Sequence, residues 1–147
     1  MQEIKGYYNE IGLFETYVGE IFVSGNRLML SIYNAILGIH HPLNKTNQIS
    51  YLSYCFFSFN EAINSTREVY DNYSNFLFKE TNYIKCLSRE QKMNDFLLEL
   101  IDINNTYQYW NWIITAKDFS IIIKENYRLR GESFNYLEIR NLYEMNH

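Results

Sequence analysis

Two runs of apolar residues with strand-like spacing flank a short turn sequence near the start of the chain. They span residues 11–37, and a Ser-Gly-Asn sequence at residues 24–26 interrupts them with residue types that tolerate positive φ. The pattern predicts a β-hairpin that pairs residues 14–23 with residues 27–37. The polar segment at residues 40–47, which holds the only proline, then predicts a loop.

Aromatic side chains indicate that much of the remaining chain is also sheet. They make up 18% of the 147 residues, and large flat rings pack well across neighbouring strands. Residues 49–59 combine partial alternation with an apolar centre, which is typical of a central strand buried on both faces. Residues 66–73 and 75–86 are predicted as two further strands.

Regular alternation marks residues 107–114 as another strand. One predicted face holds Tyr107, Tyr109, Asn111 and Ile113, and the other holds Gln108, Trp110, Trp112 and Ile114. The β-branched run at residues 121–123 favours a strand over residues 119–124 that forms a second hairpin with it. A helix continuing from Thr115 is the competing interpretation, and residues 134–145 are predicted as either a last strand or a short helix.

Residues 89–102 have the spacing of an amphipathic helix. Ser88 can cap its N-terminus, and Gln91 stands three positions later, as a capping box requires. The apolar stripe falls at i, i+3, i+4, i+7 and i+8 and consists of Met93, Phe96, Leu97, Leu100 and Ile101. The opposite side carries an acidic ridge, which is either a solvated face or a docking surface and consists of Asp95, Glu99 and Asp102.

Together these elements predict an α+β fold that is mainly antiparallel β. The length is that of a single domain, which we place over residues 1–147 because no linker divides the chain. The predicted architecture is a sandwich or a strongly curved sheet, on which the helix at residues 89–102 packs through its apolar stripe.

The charge of the chain is acidic and unevenly distributed. Thirteen basic and seventeen acidic side chains give a net charge of −4, of which residues 61–102 contribute −3. A negative field repels phosphate backbones, so we do not expect nucleic acid as a partner. A basic partner is expected to meet the middle of the chain, where the negative charge is concentrated.

Sequence patterns of catalysis, metal binding and cofactor binding are missing. The chain has neither a nucleophile elbow nor a glycine-rich phosphate loop, and His40 and His41 lack a nearby third ligand for a metal ion. The sequence leaves a catalytic pair of carboxylates as an alternative, because the spacing of acidic residues along the chain does not reveal which of them the fold brings together. Cys55 and Cys86 fit reduced core residues better than a disulfide.

Targeting signals are also missing from the sequence. The N-terminus lacks the basic start and apolar core of a signal peptide, and no apolar window reaches the roughly 20 residues of a membrane span. We therefore expect a cytoplasmic protein that uses no cofactor, is not an enzyme and does not contact membranes.

The stretch at residues 56–70 resembles a pattern in small bacterial immunity proteins. Its sequence, FFSFNEAINSTREVY, has an apolar strand that ends near phenylalanine, a Ser/Thr-Arg-Glu turn and a second strand. The size, the acidity and the richness in aromatic residues and asparagine are similar to those of immunity proteins of contact-dependent growth inhibition and related polymorphic toxin systems. The resemblance implies a cytoplasmic, non-enzymatic protein that binds one cognate toxin tightly, often over its active site. It carries over no functional residue.

The predicted function is therefore that of an immunity protein. Many such toxins are nucleases with basic active surfaces, so an acidic inhibitor can occupy the surface that binds phosphates. The predicted partner-binding residues are five acids and two aromatic anchors: Asp71, Glu80, Asp95, Glu99, Asp102, Tyr109 and Trp110. The alternative is a small-molecule binding protein or a carboxylate-based enzyme with a β-lined pocket, and a structural subunit of a homo-oligomer is a third interpretation.

Overall fold

Strands occupy most of the chain in its computed structural model, which describes residues 1–71, 75–83 and 92–146. The eleven strands in these ranges are β1 (Gln2–Lys5), β2 (Ile11–Gly12), β3 (Tyr17–Ser24), β4 (Arg27–Leu37), β5 (Ser50–Asn60), β6 (Asn64–Asp71), β7 (Asn75–Tyr83), β8 (Asn94–Asp102), β9 (Asn105–Ala116), β10 (Asp118–Ile123) and β11 (Leu129–Arg130). The helices among the described residues are a short 3-10 helix (Tyr8–Glu10) and the α-helix α1 (Tyr136–Met145).

All eleven strands hydrogen-bond into one sheet. Nine of them lie side by side in the order β1-β10-β5-β4-β3-β8-β9-β6-β7, while β2 pairs with β4 and β11 pairs with β5. The parallel pairing is that of β3 with β8, and the others are antiparallel. The structure thereby confirms the prediction of a fold that is mainly antiparallel β.

The predicted N-terminal hairpin is confirmed as β3 and β4. Ser24 faces Arg27 across the turn, and Gly25 has a φ of 64°, which hairpin turns of the primed types require at their first central residue. β3 begins at Tyr17 instead of at residue 14, because Glu15 has a φ of 51° and interrupts the extended backbone.

The other predicted strands are also present. β5 lies between β4 and β10 with both faces buried, as predicted for residues 49–59. β6 and β7 confirm the strands predicted at residues 66–73 and 75–86 as far as the structure describes them. β6 begins two residues earlier than predicted, so the Ser/Thr-Arg-Glu segment predicted as a turn lies within the strand. β9 and β10 confirm the strands predicted at residues 107–114 and 119–124.

The predicted second hairpin is wrong, because β9 and β10 do not pair with each other. β9 pairs with β8 and β6, whereas β10 pairs with β5 and β1. Only Lys117 separates the two strands, and the commonest hairpin loops need two residues. The Lys117 N–H donates to the Asn60 carbonyl at 3.0 Å, so the chain is tied to β5 where it leaves β9.

The predicted helix at residues 89–102 is wrong where the structure describes it. β8 occupies most of that range and pairs with β9 from Asn94 to Asp102. Residues 88–91, which hold the predicted capping box, lie outside the described residues.

The reason is that β8 carries two periodicities at once. Phe96, Leu98 and Leu100 are buried and alternate with exposed Leu97 and Glu99, so a period of two coexists with the helical spacing. The long ladder with β9 adds backbone hydrogen bonds and cross-strand packing, and these tertiary interactions override local helix propensity.

The α-helix that the structure describes lies instead within residues 134–145, for which the sequence predicts either a strand or a short helix. Asn135 caps α1: its Oδ1 accepts from the Glu138 N–H at 2.9 Å, and the Glu138 carboxylate accepts from the Asn135 N–H at 3.1 Å. Arg130 donates to both oxygens of Glu138 at 2.7 and 2.8 Å, which lowers the pKa of Glu138 to about 2.

Buried apolar side chains form two clusters on opposite faces of β4 and β5. The larger cluster combines Leu30 and Phe57 with alternate residues of β8, β9 and β10. The smaller cluster contains Tyr33 and Tyr54, which pack beneath Ile139 of α1. The helix α1 therefore covers one face of β4 and β5, and β8 and β9 cover the other face.

The loop between β4 and β5 contains a buried histidine. His41 Nδ1 accepts a hydrogen bond from the Leu43 N–H at 3.2 Å, so the ring proton lies on Nε2, which has no acceptor among the described residues. Burial lowers the pKa of His41, and the negative charge of Glu10 opposes only part of this effect. The fold thus favours the neutral imidazole.

We expect the free energy of unfolding to decrease as the pH falls below about 6.5, the ordinary histidine pKa. In that range the unfolded chain takes up a proton at His41 that the folded protein resists, so acid favours unfolding. Urea unfolding at about pH 7.5 and about pH 5.5 measures the change. In the control His41→Asn, the side-chain oxygen still accepts from the Leu43 N–H but does not titrate, and the change should be smaller. An equal pH dependence in both proteins would contradict the prediction.

Candidate functional site

The outward sides of β6, β7, β8 and β9 form an exposed surface, which we call the open face. The register of the sheet sets its rows: Leu97 faces Ile113, while Glu99 and Glu68 both face Asn111 from opposite sides. Its described members are Thr66, Glu68 and Tyr70 of β6, Phe76, Lys79 and Thr81 of β7, Asp95, Leu97 and Glu99 of β8, and Tyr107, Tyr109, Asn111, Ile113 and Thr115 of β9.

Large apolar groups on the open face lie in contact with solvent. Leu97 is 68% exposed, Tyr107 69% and Ile113 41%. Leu98 and Trp112, which are adjacent in the chain to Leu97 and Ile113, are instead buried in the core. Because neighbouring residues of a strand point to opposite faces, β8 and β9 present an apolar row to the core and a mixed row of apolar, polar and acidic side chains to solvent. Leu97 and Ile113 face each other as an exposed apolar pair, and Tyr107 lies further along β9 on the same face. Exposed apolar groups that lie together typically mark an interaction site.

The charge of the open face is negative. It carries the carboxylates of Glu68, Asp95 and Glu99 and a single cation, Lys79, among its described members. The Thr115 hydroxyl donates to Asp95 at 2.6 Å, which holds that carboxylate against the sheet. The face therefore combines apolar groups with excess negative charge.

A groove of about 430 Å³ adjoins the open face. It lies between residues 13–16 and the outer sides of β8 and β9, and Leu13, Phe14, Glu15, Thr16, Glu99, Ile101 and Tyr109 line it. A smaller depression of about 310 Å³ lies across the middle of the open face, between Glu68 and Leu97. Glu99 borders both depressions.

Hydrogen bonds hold residues 13–16 in place as one wall of the groove. The Ile101 N–H donates to the Thr16 carbonyl at 2.9 Å, and the Thr16 hydroxyl donates to the Asn34 carbonyl at 3.1 Å. The Asn34 side-chain amide donates to the Glu15 carbonyl at 2.9 Å. These contacts keep Glu15 in its left-handed backbone conformation, so the groove is formed before any ligand binds.

Three of the seven predicted partner-binding residues come together at this surface. Asp95 and Glu99 lie on the open face, and Tyr109 lies beside Glu99 at the groove. The predicted acidic ridge also includes Asp102, but Asp102 follows a register shift in β8 and lies near Arg67 on the inner side, whereas Glu99 faces Asn111 on the open face.

The other predicted residues lie away from the open face, near the inner side of β6. Glu80 pairs with Arg67 at 3.4 Å, and the Arg67 guanidinium carbon lies 4.3 Å from the ring centroid of buried Trp110. Burial raises the pKa of the Asp102 carboxyl, while the Asn104 N–H and the charge of Arg67 oppose that shift. Asp71 ends β6 opposite Asn75 and Gln108.

Sequence reasoning missed part of the surface. The helical spacing predicts that Leu97 is buried, and Glu68 contributes only to the net charge of residues 61–102. Alternation predicts that Tyr107, Tyr109 and Ile113 share one face of a strand. This alternation is the sequence signal that points to the open face. No local pattern pointed to Glu15.

The described residues provide no cluster of three His, Cys, Asp or Glu side chains that could hold a metal ion. Cys55 is a free thiol whose burial raises its pKa, and Cys86 lies outside the described residues. In the described parts of the chain, no helix is long and apolar enough to cross a membrane. Comparisons with protein-family models, curated proteins and solved structures found no match to this chain.

Proposed function

We propose that this protein is an immunity protein that binds and neutralises a cognate, basic, nuclease-type bacterial toxin by covering its active surface. The observation that carries the proposal is the open face, where Leu97, Tyr107 and Ile113 are exposed on the same side of the sheet as Glu68, Asp95 and Glu99. Binding requires no catalysis, no cofactor and no membrane, and the proposed location is the cytoplasm.

The composition of the open face supports a protein partner. Aromatic and large apolar side chains supply most of the binding energy at the centre of an interface, and Tyr107 and Leu97 present such groups to solvent. The surrounding carboxylates complement a basic surface and speed its capture. A nuclease active site is basic because it binds phosphates, so its positive charge complements the negative charge of the open face.

The proposed architecture, a strongly curved sheet, supports the same function. Phe59 of β5 and Phe96 of β8 have ring centroids 5.4 Å apart, although β4 and β3 lie between their strands in the sheet. Three strand spacings in a flat sheet would place those strands about 14 Å apart. Curvature that brings the rings together directs the open face away from the core, which leaves it accessible to a partner protein.

The test compares two leucines of equal exposure. Leu97 lies on the open face and Leu137 lies on α1, and each is 68% exposed. The wild-type chain, Leu97→Ser and Leu137→Ser are immobilised and challenged with lysate of the source organism at low salt and then at high salt. Retained proteins are identified by mass spectrometry, purified and assayed for nuclease activity with and without the wild-type chain.

We expect one basic protein to be retained at low salt, and an equimolar amount of the wild-type chain to inhibit its nuclease activity. Leu97→Ser should weaken binding by about 1–2 kcal/mol, whereas Leu137→Ser should leave it unchanged. Neutralising Asp95 and Glu99 should slow association, in contrast to neutralising the exposed Glu125 and Glu132. A retained protein that is not inhibited, or no retained protein at all, would count against the proposal.

The alternative function is a small-molecule binding protein or a carboxylate-based enzyme. The groove favours it, since its volume of about 430 Å³ is that of small-ligand sites and Glu15, Glu99 and Tyr109 line it. Ligand screening by thermal shift distinguishes the two functions, because a small ligand of the groove would stabilise the chain without any partner protein.

A further inference from the structure

The groove beside the open face combines apolar walls with acidic groups. Leu13, Phe14 and Ile101 supply apolar contacts, and the carboxylates of Glu15 and Glu99 come from separate parts of the fold. Neither carboxylate forms a hydrogen bond or an ion pair with another side chain in the described part of the protein. An occupant is therefore expected to have an apolar stem and a cationic end.

We propose that the groove receives an arginine side chain of the partner protein. The three methylenes of an arginine stem match the apolar walls, and the guanidinium carries the charge that Glu15 and Glu99 complement. This inference rests on the proposed function and adds the chemical group that the partner inserts.

Arginine fits the groove better than lysine because of the aromatic rings around it. Phe14 is exposed at the groove and Tyr109 lines it, and a planar guanidinium stacks on such rings while it donates to carboxylates. A lysine ammonium is a more strongly hydrated point charge and gains less from a flat aromatic surface. Because hydrogen bonds already fix residues 13–16, binding costs little conformational entropy in this wall of the groove.

The direct test uses N-acetyl-L-arginine amide as the probe. Titration into the isotopically labelled full chain is followed by NMR, with the resonances of Ile101 and Tyr109 as reporters. N-acetyl-L-citrulline amide is the matched control, since it has nearly the same shape and no charge. We expect saturable shifts at the groove with the arginine probe and at least about tenfold weaker binding of the citrulline probe.

Variants of the acids locate the site. Glu15→Gln combined with Glu99→Gln should weaken binding of the arginine probe at least about tenfold, whereas Glu125→Gln combined with Glu132→Gln removes the same charge elsewhere and should not. Circular dichroism and thermal unfolding verify that both double variants fold. Equal binding of arginine and citrulline, or equal binding by the two double variants, overturns the inference.

Failure of this inference is distinguishable from failure of the proposed function. If the arginine probe does not bind but Leu97→Ser still weakens capture of an inhibited nuclease, the inference is overturned and the immunity function stands. If the probe binds the groove as expected and no nuclease is captured or inhibited, the groove chemistry is supported and the immunity function is overturned.

Discussion

Replacing Phe119 with alanine is expected to reduce the free energy of unfolding by about 3–5 kcal/mol. Phe119 is buried in the larger cluster, and its ring centroid lies 4.8 Å from Tyr8, 5.1 Å from Phe57, 5.4 Å from Phe59 and 6.1 Å from Phe96. Alanine would remove one ring from a group of five and leave a cavity at the point where β5, β8 and β10 meet. The loss is a large share of the about 5–15 kcal/mol that stabilises a typical domain.

Urea unfolding followed by tryptophan fluorescence measures this loss, because Trp110 and Trp112 lie in the same cluster. Phe119→Leu is the control, and it should cost less because leucine fills most of the space that phenylalanine occupies. If both variants had the same free energy of unfolding as the wild type, the aromatic contacts of Phe119 would not be a major source of stability.

Replacing Asn34 with alanine is expected to cost at least about 3 kcal/mol of stability. Asn34 is buried in β4, where its Oδ1 accepts from the Phe134 N–H at 3.0 Å and its amide donates to the Ser133 hydroxyl at 3.0 Å and to the Glu15 carbonyl at 2.9 Å. Alanine would leave these groups without their partner. It would also have to adopt a φ of 67°, which L-residues other than asparagine and aspartate avoid.

Asn34→Gly separates the two causes, since glycine adopts positive φ freely but makes no side-chain hydrogen bonds. We expect Asn34→Gly to be destabilised as well, but by about 1 kcal/mol less than Asn34→Ala. Chemical denaturation of the three proteins measures both differences. A glycine variant as stable as the wild type would show that the hydrogen bonds contribute little.

Asn34 also connects stability with the candidate site. It holds the Glu15 carbonyl on one side and the Phe134 N–H on the other, so it links the groove wall to the segment that precedes α1. No sequence pattern pointed to this residue, because a buried asparagine within a strand has the same local signature as an exposed one.

The sequence predicted elements that local patterns specify. The hairpin of β3 and β4 followed from Gly25 and its neighbours, because positive φ at a turn is a property of single residues. The two faces of β9 followed from alternation, because Trp110 and Trp112 must share one side of any strand.

The failures concern segments whose local pattern fits two structures. β8 has apolar spacing that fits a helix and a strand, and its ladder with β9 decided between them. The capping box of α1, formed by Asn135 and Glu138, was present in the sequence, yet the short segment also allowed a strand. Packing beneath Ile139 and the ion pair with Arg130 favour the helix.

By itself, therefore, the sequence determined the abundance of strands, the acidity, and the shared face of Tyr107, Tyr109 and Ile113. The tertiary structure decided how strands far apart in the chain pair, and with that it placed Leu97 in solvent and Glu15 across a groove from Glu99. The physical reason is that turns and side-chain alternation depend on residues close in the chain, whereas strand pairing and groove formation depend on contacts between residues far apart in it.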